Sequence, residues 1–234
     1  MNGLILPKHI GVILDGNRRW ASNHHMMKWQ GHKYGGEIFD KFMEWCLEIG
    51  IPQVSAYVLS TENLDRSEKE VKELLKVLKR QLDKFETEKA SLFDKYEVQI
   101  RFCGDMSRLP KDLVSVMKRI MKRTEKYNKK LFNILIAYGG RFELTHAFKK
   151  IMEGAMKSGR IVITQKKIEE NLLVSGDVDL LIRTGGTHRL SNFLPWQSTY
   201  AEIYVTETLW PDFSKRELMK AIRWFSDTQR NFGK

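Results

Sequence analysis

Six apolar segments rich in β-branched and aromatic residues recur along the chain, and each predicts a β-strand. They span residues 9–14, 54–59, 98–103, 131–138, 178–183 and 201–206. Several are apolar almost throughout instead of alternating with polar residues. This pattern is typical of strands that are covered on both faces of a parallel sheet.

Between these segments, apolar residues recur at spacings of three and four, which predicts helices. The predicted helices span 35–50, 67–96, 110–128, 141–159 and 214–232. Strands that alternate with helices indicate a mainly parallel α/β sheet. No linker, repeat or low-complexity tract divides the chain, so we expect one domain over residues 1–234.

The helix predicted after Ser67 carries the longest apolar stripe. The stripe consists of Val71, Leu74, Leu75, Leu78, Leu82 and Phe85. It is compatible with an ordinary core contact or with the wall of a tunnel for an apolar ligand. Glu70, three residues after Ser67, predicts a capping box at the start of this helix.

Polar side chains follow the predicted strands, where ligands bind in open α/β sheets. After the first strand, the sequence DGNRRW places Asp15, which can bind a hard cation such as Mg²⁺, near Arg18 and Arg19. Gly16 allows the backbone to approach a phosphate closely, and the arginines can bind its oxygens. An Asp-Gly-Asn run is also a common turn, so this segment alone is compatible with a turn.

A second polar group, in the sequence LSTENLDR, contains Ser60, Glu62, Asn63 and Arg66 and stands just before the longest helix. The first amide groups of a helix lack partners and attract anions. Simple helix capping is the alternative explanation of these residues.

The segment 179–213 carries the clearest chemical pattern. Arg183 ends an apolar strand and two glycines follow. Arg189 and Ser191 lie within eight positions of Arg183, so two guanidinium groups and a hydroxyl can converge on one phosphate. Glu202 begins the next apolar run and is a candidate second carboxylate.

The composition favours an anionic partner. Lys and Arg number 40 against 29 Asp and Glu, and the net charge of +11 indicates nucleic acid, a phosphorylated ligand or acidic lipid. Cys46 and Cys103 lie in apolar segments, as expected for reduced core residues of an intracellular protein. The N-terminal sequence shows no signal-peptide pattern and no membrane span, so we expect a cytoplasmic protein with at most peripheral membrane contact.

Several common signatures are absent from the sequence. The chain has no P-loop, no dinucleotide fingerprint, no zinc-ligand pattern and no nucleophile elbow. It also has no DDxxD pair of the kind that binds Mg²⁺ in all-helical prenyl synthases. Ordinary nucleotide-binding and hydrolase functions therefore lose support.

Seven ordered segments together resemble the cis-prenyltransferase family, which includes undecaprenyl diphosphate synthases and their dehydrodolichyl and archaeal polyprenyl relatives. The segments are HIGVILDGNRRWA, GHKYGG, YVLSTENLDR, AYGGR, DLLIRTGGTHRLSNFLPWQSTYAEIY, LWPDF and RNFG. They cover nearly the whole chain in the order of the family. The DGNRRW form and the long helix after Arg66 resemble archaeal members in particular.

This resemblance implies a homodimer of α/β subunits. Each subunit would contain a six-stranded, mainly parallel sheet flanked by helices, with an apolar tunnel between sheet and helices. The implied reaction uses Mg²⁺ and extends an allylic diphosphate, such as farnesyl or geranylgeranyl diphosphate, by successive cis additions of isopentenyl diphosphate. The long polyprenyl diphosphate would be the precursor of a glycosyl carrier lipid.

The resemblance also implies roles for individual residues. Asp15 would handle Mg²⁺ and the diphosphate, Asn63 would assist proton removal, and Glu202, with His188, would complete Mg²⁺ binding. The allylic diphosphate would be surrounded by Gly16, Asn17, Arg18, Arg19, Lys28 and His32. The isopentenyl diphosphate would lie near Ser60, Asn63, Arg66, Arg183, Arg189 and Ser191. Further substrate-binding residues would be Trp20, Thr61, Glu62, Leu64 and Leu190, with Arg230 and Gly233 of the C-terminal segment reaching across the dimer.

Four positions depart from the residues usual in the family. Lys28 stands for Arg and loses the forked donor, and Thr187 stands for Glu, so Glu202 would carry more of the metal site. Leu64 stands for Trp and Ala137 for Asn. The helix region after Arg66 is longer than in typical bacterial members and bears on product length, so the product length and the primer stay open.

Two other function classes are compatible with parts of this pattern. A non-catalytic subunit of a heteromeric prenyltransferase would keep the RNFG ending but lose the Asp and Arg set that this chain retains. A nucleic-acid-binding module would combine the positive charge with Trp20, Trp29, Trp196 and Trp210. Because the cations cluster at strand ends beside carboxylates, we expect no nucleic-acid partner. The excess charge favours contact with anionic membrane instead.

Overall fold

Six parallel strands form the centre of the computed structural model, which describes residues 3–228. The strands are β1 His9–Ile13, β2 Gln53–Ser60, β3 Val98–Cys103, β4 Lys130–Tyr138, β5 Leu180–Arg183 and β6 Glu202–Val205. Their order in the sheet is β3-β4-β2-β1-β5-β6, and every neighbouring pair is parallel. The predicted six-stranded α/β sheet flanked by helices is confirmed.

Eight α-helices connect or flank the strands within the described residues. They are α1 Asn17–Asn23, α2 Gln30–Ile49, α3 Glu68–Glu86, α4 Ala90–Tyr96, α5 Lys111–Thr124, α6 Gly140–Ser158, α7 Gln165–Glu169 and α8 Lys215–Asp227. The helix predicted over 67–96 is divided into α3 and α4. The DGNRRW segment turns at Gly16 and then forms α1, which the apolar periodicity did not predict.

The capping box predicted at the start of α3 is wrong. Ser67 is the N-cap residue of α3, but its side chain makes no capping hydrogen bond. Glu70 forms an ion pair with Arg66 instead of returning to the cap. A nearby guanidinium group therefore outcompetes the backbone amide for this carboxylate.

The sheet is covered on both faces, as its continuous apolar strands predicted. A large core cluster contains Ile10 and Val12 of β1 together with the inward side chains of α2, α3, α5 and α8. A smaller cluster on the other face contains Ile13, Tyr57 and Phe193. Successive strand residues point to opposite faces, which distributes neighbouring residues of β1 between the two clusters.

Glycines in the GHKYGG segment allow α2 to pack tightly against its neighbours. A Cβ atom on Gly31 would lie 2.0 Å from the carbonyl oxygen of Asn17, and one on Gly35 would lie 2.0 Å from Asn17 Oδ1. A Cβ atom on Gly36 would lie 2.3 Å from the Gln81 side chain. The segment therefore brings α1 and α3 close to α2, which places the residues at their ends beside one another.

Candidate active site

A cleft of about 930 Å³ opens at the carboxyl ends of β1, β2 and β5. The sheet order places β2 and β5 on either side of β1, so the chain changes its direction of winding here, where α/β sheets bind ligands. Fourteen of the predicted site residues line this cleft. They are Asp15, Gly16, Asn17, Arg18, Arg19, Lys28, His32, Ser60, Glu62, Asn63, Arg66, Arg183, Arg189 and Ser191.

Asp15 lies two residues beyond β1 on a restrained backbone. Its carbonyl oxygen accepts hydrogen bonds from Thr184 Oγ1 at 2.7 Å and from the amide of Trp210 at 3.0 Å. Its carboxylate lies 2.9 Å from Arg183 Nη2 and 3.6 Å from Arg19 Nη2, and about a third of the side chain, 32 %, is exposed. Asp15 therefore presents an accessible pair of carboxylate oxygens between two guanidinium groups.

Arg183, the last residue of β5, organises the opposite wall of the cleft. Its side chain is 4 % exposed, and besides Asp15 it donates to Ser191 Oγ at 2.8 Å and to the carbonyl oxygen of Arg189. Ser191, Asn192 and the nearby Leu194 have φ angles of 49°, 66° and 44°, in the left-handed region that side chains rarely adopt. This strained loop is shaped by its contacts, and such strain is typical of ligand sites.

The glycine pair after β5 leaves room for Arg19. Gly185 has a φ of 80°, and a Cβ atom there would lie 2.2 Å from Arg19 Nη2. The same guanidinium nitrogen donates to the carbonyl oxygen of Gly185 at 2.6 Å. A glycine is therefore required where the arginine lies across the turn beside Asp15.

Ser60 and Asn63 form two reciprocal hydrogen bonds at the carboxyl end of β2. The amide of Asn63 donates to Ser60 Oγ at 3.1 Å, and the amide of Ser60 donates to Asn63 Oδ1 at 3.2 Å. Glu62 accepts a hydrogen bond from Asn192 Nδ2 at 3.0 Å, which connects this turn to the strained loop. The two strand ends thus share one hydrogen-bonded wall.

His32 of α2 lies half-buried among the cations of the cleft. Burial, followed by the charges of Arg66 and Arg18, lowers the pKa of His32 from 6.5 to about 4. Its imidazole is therefore neutral at neutral pH. Its Nε2 atom is buried and has no hydrogen-bond partner.

An apolar cavity of about 80 Å³ adjoins the polar cleft. Leu14, Asn17, His32 and Val58 line both spaces. Four members of the α3 stripe line the cavity and also belong to the buried core, namely Leu74, Leu78, Leu82 and Phe85. The stripe therefore forms part of the core and also one wall of this cavity.

Some predicted residues lie outside the cleft. Trp20 is buried and donates from Nε1 to Asp212 Oδ1 at 2.7 Å. Leu64 packs against the main core and Leu190 against the smaller one, while Thr61 does not line the cleft. These residues support the walls from behind. Arg230 and Gly233 fall outside the described residues.

Glu202 does not join Asp15 within one chain. In the parallel β5–β6 pair, Glu202 is in register with Leu180, whereas Arg183, at the cleft, is in register with Val205. Glu202 therefore lies at the amino end of its strand, away from the cleft. His188 also does not line the cleft, and residues 3–228 contain no group of three His, Cys, Asp or Glu side chains arranged to hold a metal ion.

Sequence reasoning also missed several residues of the site. Tyr57, Asn192 and Ser22 line the cleft, and Glu70 contacts two of its arginines. The polar run around Ser191 was a signal for Asn192. Tyr57 lies within an apolar strand and offered no such signal.

The fold and the cleft define an α/β protein that binds anionic groups beside an apolar chain. Six cations, Arg18, Arg19, Lys28, Arg66, Arg183 and Arg189, face the cleft with two carboxylates, Asp15 and Glu62. Such a charge excess attracts phosphorylated ligands. The adjoining cavity favours a ligand with a hydrocarbon portion.

Comparison with known proteins identifies the family. The family model described as "Putative undecaprenyl diphosphate synthase" matches residues 13–233. An isoprenyl transferase of Aquifex pyrophilus is 39% identical over 233 residues, covering 99% of this chain and 97% of that protein. A tritrans,polycis-undecaprenyl-diphosphate synthase (GGDP specific) of Sulfolobus acidocaldarius is 40% identical over 235 residues, covering 97% of this chain and 88% of that protein.

The structural comparison agrees with the sequence comparison. A crystal structure of lavandulyl diphosphate synthase from Lavandula x intermedia, in complex with dimethylallyl diphosphate, superposes with a TM-score of 0.90 at 29% identity. The match covers 98% of this chain and 99% of that one. This chain belongs to the undecaprenyl diphosphate synthase family and is a prenyltransferase. The predicted family is confirmed, archaeal relatives included.

Proposed function

We propose that this chain condenses successive isopentenyl diphosphate units onto an allylic diphosphate, with the diphosphates in the polar cleft and the growing hydrocarbon in the apolar cavity. The observation that carries this proposal is the continuity of the two spaces through Leu14, Asn17, His32 and Val58. A diphosphate with a hydrocarbon tail needs this pairing of a cationic and an apolar compartment.

The Mg²⁺ requirement rests on Asp15. Mg²⁺ commonly binds one or two carboxylates together with substrate phosphates, so one accessible carboxylate in a diphosphate cleft fits the ion. When bound, Mg²⁺ would neutralise charge on the diphosphate leaving group. The described arrangement gives Glu202 no part in this within one subunit.

The arginines of the cleft would provide most of the stabilisation of the negative charge on the diphosphate leaving group. When the allylic carbon–oxygen bond breaks, its electron pair stays with the diphosphate, whose negative charge rises. Arg183 and Arg19 already stand beside Asp15, so they need little reorganisation to stabilise that charge. A new carbon–carbon bond forms to the isopentenyl unit, which then loses a proton to an oxygen of the released diphosphate, and Asn63 is our candidate for assisting that transfer.

The apolar cavity would favour inward movement of the product chain. Each buried methylene contributes about 0.8 kcal/mol, so transfer of a five-carbon unit into it is favourable by several times that amount. The cavity of about 80 Å³ would have to widen between α2 and α3 as the chain lengthens.

We also propose that the chain forms a homodimer. Phe148, Met152 and Met156 are exposed at four-residue spacing on α6, and Ile203 is exposed on the edge strand β6. An exposed apolar helix face of this kind is typical of an interface. Gel filtration with light scattering would measure the mass, and a monomer at micromolar concentration would contradict the dimer.

Peripheral membrane contact and a role in making a glycosyl carrier lipid belong to the same proposal. Within residues 3–228, no helix has the length and apolar character needed to cross a bilayer. The net charge of +11 would attract anionic headgroups, and a long polyprenyl product must leave into lipid. Sedimentation with vesicles containing or lacking acidic lipid tests the contact, which equal, negligible binding to both would contradict.

The decisive experiment uses the purified chain alone. It is incubated with Mg²⁺, labelled isopentenyl diphosphate and either farnesyl or geranylgeranyl diphosphate, and the products are resolved by reversed-phase chromatography. We expect polyprenyl diphosphates in a ladder of five-carbon steps that disappears with a chelator. No product from either primer would overturn the proposal and favour a non-catalytic partner subunit.

A further inference from the structure

Glu70 lies between two arginines of the cleft. Its Oε1 atom is 2.9 Å from Arg66 Nη1 and 3.4 Å from Arg18 Nε. The side chains of Glu70 and Arg66 are 18 % and 24 % exposed, so solvent screens their contact less than the contact to Arg18, whose side chain is 41 % exposed. One carboxylate oxygen therefore serves two guanidinium groups that come from different parts of the chain.

The two arginines serve different portions of the cleft. Arg18 belongs to α1, which follows β1, whereas Arg66 ends the turn after β2. Both are close enough to His32 for their charges to lower its pKa. Burial, followed by the charge of Arg18, lowers the pKa of Arg66, whereas the contact with Glu70 acts in the opposite direction, so the Glu70 carboxylate offsets the repulsion between the two guanidinium groups.

We infer that Glu70 is a positioning residue that holds Arg18 and Arg66 in place for the two substrate diphosphates. The inference rests on the proposed function, which assigns Arg18 to the allylic diphosphate and Arg66 to the isopentenyl diphosphate. A residue that contacts both arginines supports both substrates at once. A change at Glu70 should therefore affect the binding of both substrates.

The test compares four variants by their KM for each substrate. Glu70→Gln keeps the shape of the side chain and removes its charge, so we expect KM to rise about tenfold for both substrates, with a smaller change in kcat. Arg18→Gln is expected to raise KM mainly for the allylic diphosphate, and Arg66→Gln mainly for isopentenyl diphosphate. Glu70→Asp retains the charge and is expected to fall between Glu70→Gln and the unmodified chain.

Glu73→Gln is the matched control. Glu73 lies one turn further along α3 and pairs with Lys76 at 2.7 Å, away from the cleft. Glu73→Gln removes the same charge from the same helix. Because Glu73 lies away from the cleft, we expect unchanged KM values for this variant. Thermal unfolding of each variant reports whether the fold is retained.

The outcomes separate this inference from the proposed function. If Glu70→Gln leaves both KM values unchanged, raises only one, or lowers Tm and kcat without changing KM, the inference is wrong. If the unmodified chain makes no product, the proposed function fails, and calorimetry with inorganic pyrophosphate still tests the positioning. In that measurement, weaker binding by Glu70→Gln than by Glu73→Gln supports the inference, and equal binding overturns it.

Discussion

A histidine lies at each end of the central sheet, fully buried at one end and half-buried at the other, and the two differ in their surroundings. At the amino end, His9 Nδ1 lies 3.0 Å from the carbonyl oxygen of Asp177, and its Nε2 lies 2.8 Å from Ser55 Oγ. At the cleft, His32 Nε2 is buried without a partner. Burial is the main cause that lowers the pKa of each to about 4.

The surroundings of His9 are typical of a structural histidine, whereas those of His32 are typical of a residue at a ligand site. At the amino end both ring nitrogens of His9 have partners, and Asn133 Nδ2 also donates to Ser55 Oγ at 3.0 Å, although Asn133 Oδ1 is buried without one. The cleft keeps cations, a buried imidazole nitrogen and a left-handed loop beside open space. A buried group without a partner is costly, and at the cleft a bound ligand can supply the partner that His32 Nε2 lacks.

The largest effect is expected from Asp15→Asn. Asparagine can still accept from Arg183, so the fold should be retained, while the charge for Mg²⁺ is lost. We expect kcat to fall by about a thousandfold, measured as incorporation of labelled isopentenyl diphosphate. An undiminished rate would contradict the central role of this carboxylate, and the control Asp177→Asn, at the other end of the sheet, should retain activity.

Protonation of the two histidines should destabilise the folded chain in acid. The folded-state pKa of each lies near 4, below the ordinary value of 6.5, so the unfolded chain binds protons first as the pH falls. Stability is therefore complete above about pH 6.5 and is lost towards pH 4, by at most about 3 kcal/mol per histidine. Denaturant unfolding at several pH values measures this loss.

Replacing each histidine sharpens the comparison. His9→Gln should flatten the pH dependence of stability and leave the KM values unchanged, because His9 is remote from the cleft. His32→Asn should flatten it similarly and also raise KM for the allylic diphosphate by about tenfold. Equal effects of the two variants on KM would show that the two ends do not differ as described.

Gly35→Ala tests the packing beneath the cleft. The added Cβ would lie 2.0 Å from Asn17 Oδ1 and 2.9 Å from the Trp210 ring, so α2 would have to move. Overpacking of this kind costs about 1–3 kcal/mol, measured by denaturant unfolding. Gly154→Ala, on α6 with nothing within 4 Å of the new Cβ, should be neutral or stabilising. Equal destabilisation by both would argue against tight α1–α2 packing.

The smallest effect is expected from Ala137→Gly at the carboxyl end of β4. Ala137 has a φ of 52°, where the family usually has asparagine, a residue better tolerated in this conformation. Relief of strain should offset the greater backbone entropy of glycine in the unfolded chain. The free energy of unfolding should therefore stay unchanged or rise by no more than about 1 kcal/mol, and Tm should stay unchanged or rise with it. Ala155→Gly, in the regular helix α6, should lower Tm, and a comparable loss at both positions would contradict strain at Ala137.

Much of the site could be predicted because its residues follow strand ends, and strand ends are encoded by local hydrophobic patterns. Asp15, Ser60 and Arg183 each stand at or just beyond the carboxyl end of a predicted apolar segment. In a parallel sheet these ends meet at one edge, so alternation of strands and helices was sufficient to bring these residues together.

The tertiary structure alone decided contacts that depend on register and on competing partners. Glu202 and Arg183 belong to the same late motif in the sequence. Arg183 ends β5 at the cleft, but the register of β6 places Glu202 at the amino end of its strand, away from the cleft. Glu70 has the spacing of a capping residue, but its carboxylate pairs with Arg66, four residues earlier, and with Arg18, which the packing of α1 and α3 against α2 brings near. Local pattern determines which elements form and where they end, whereas long-range packing determines which charges meet, because a charged side chain pairs with the strongest partner within reach.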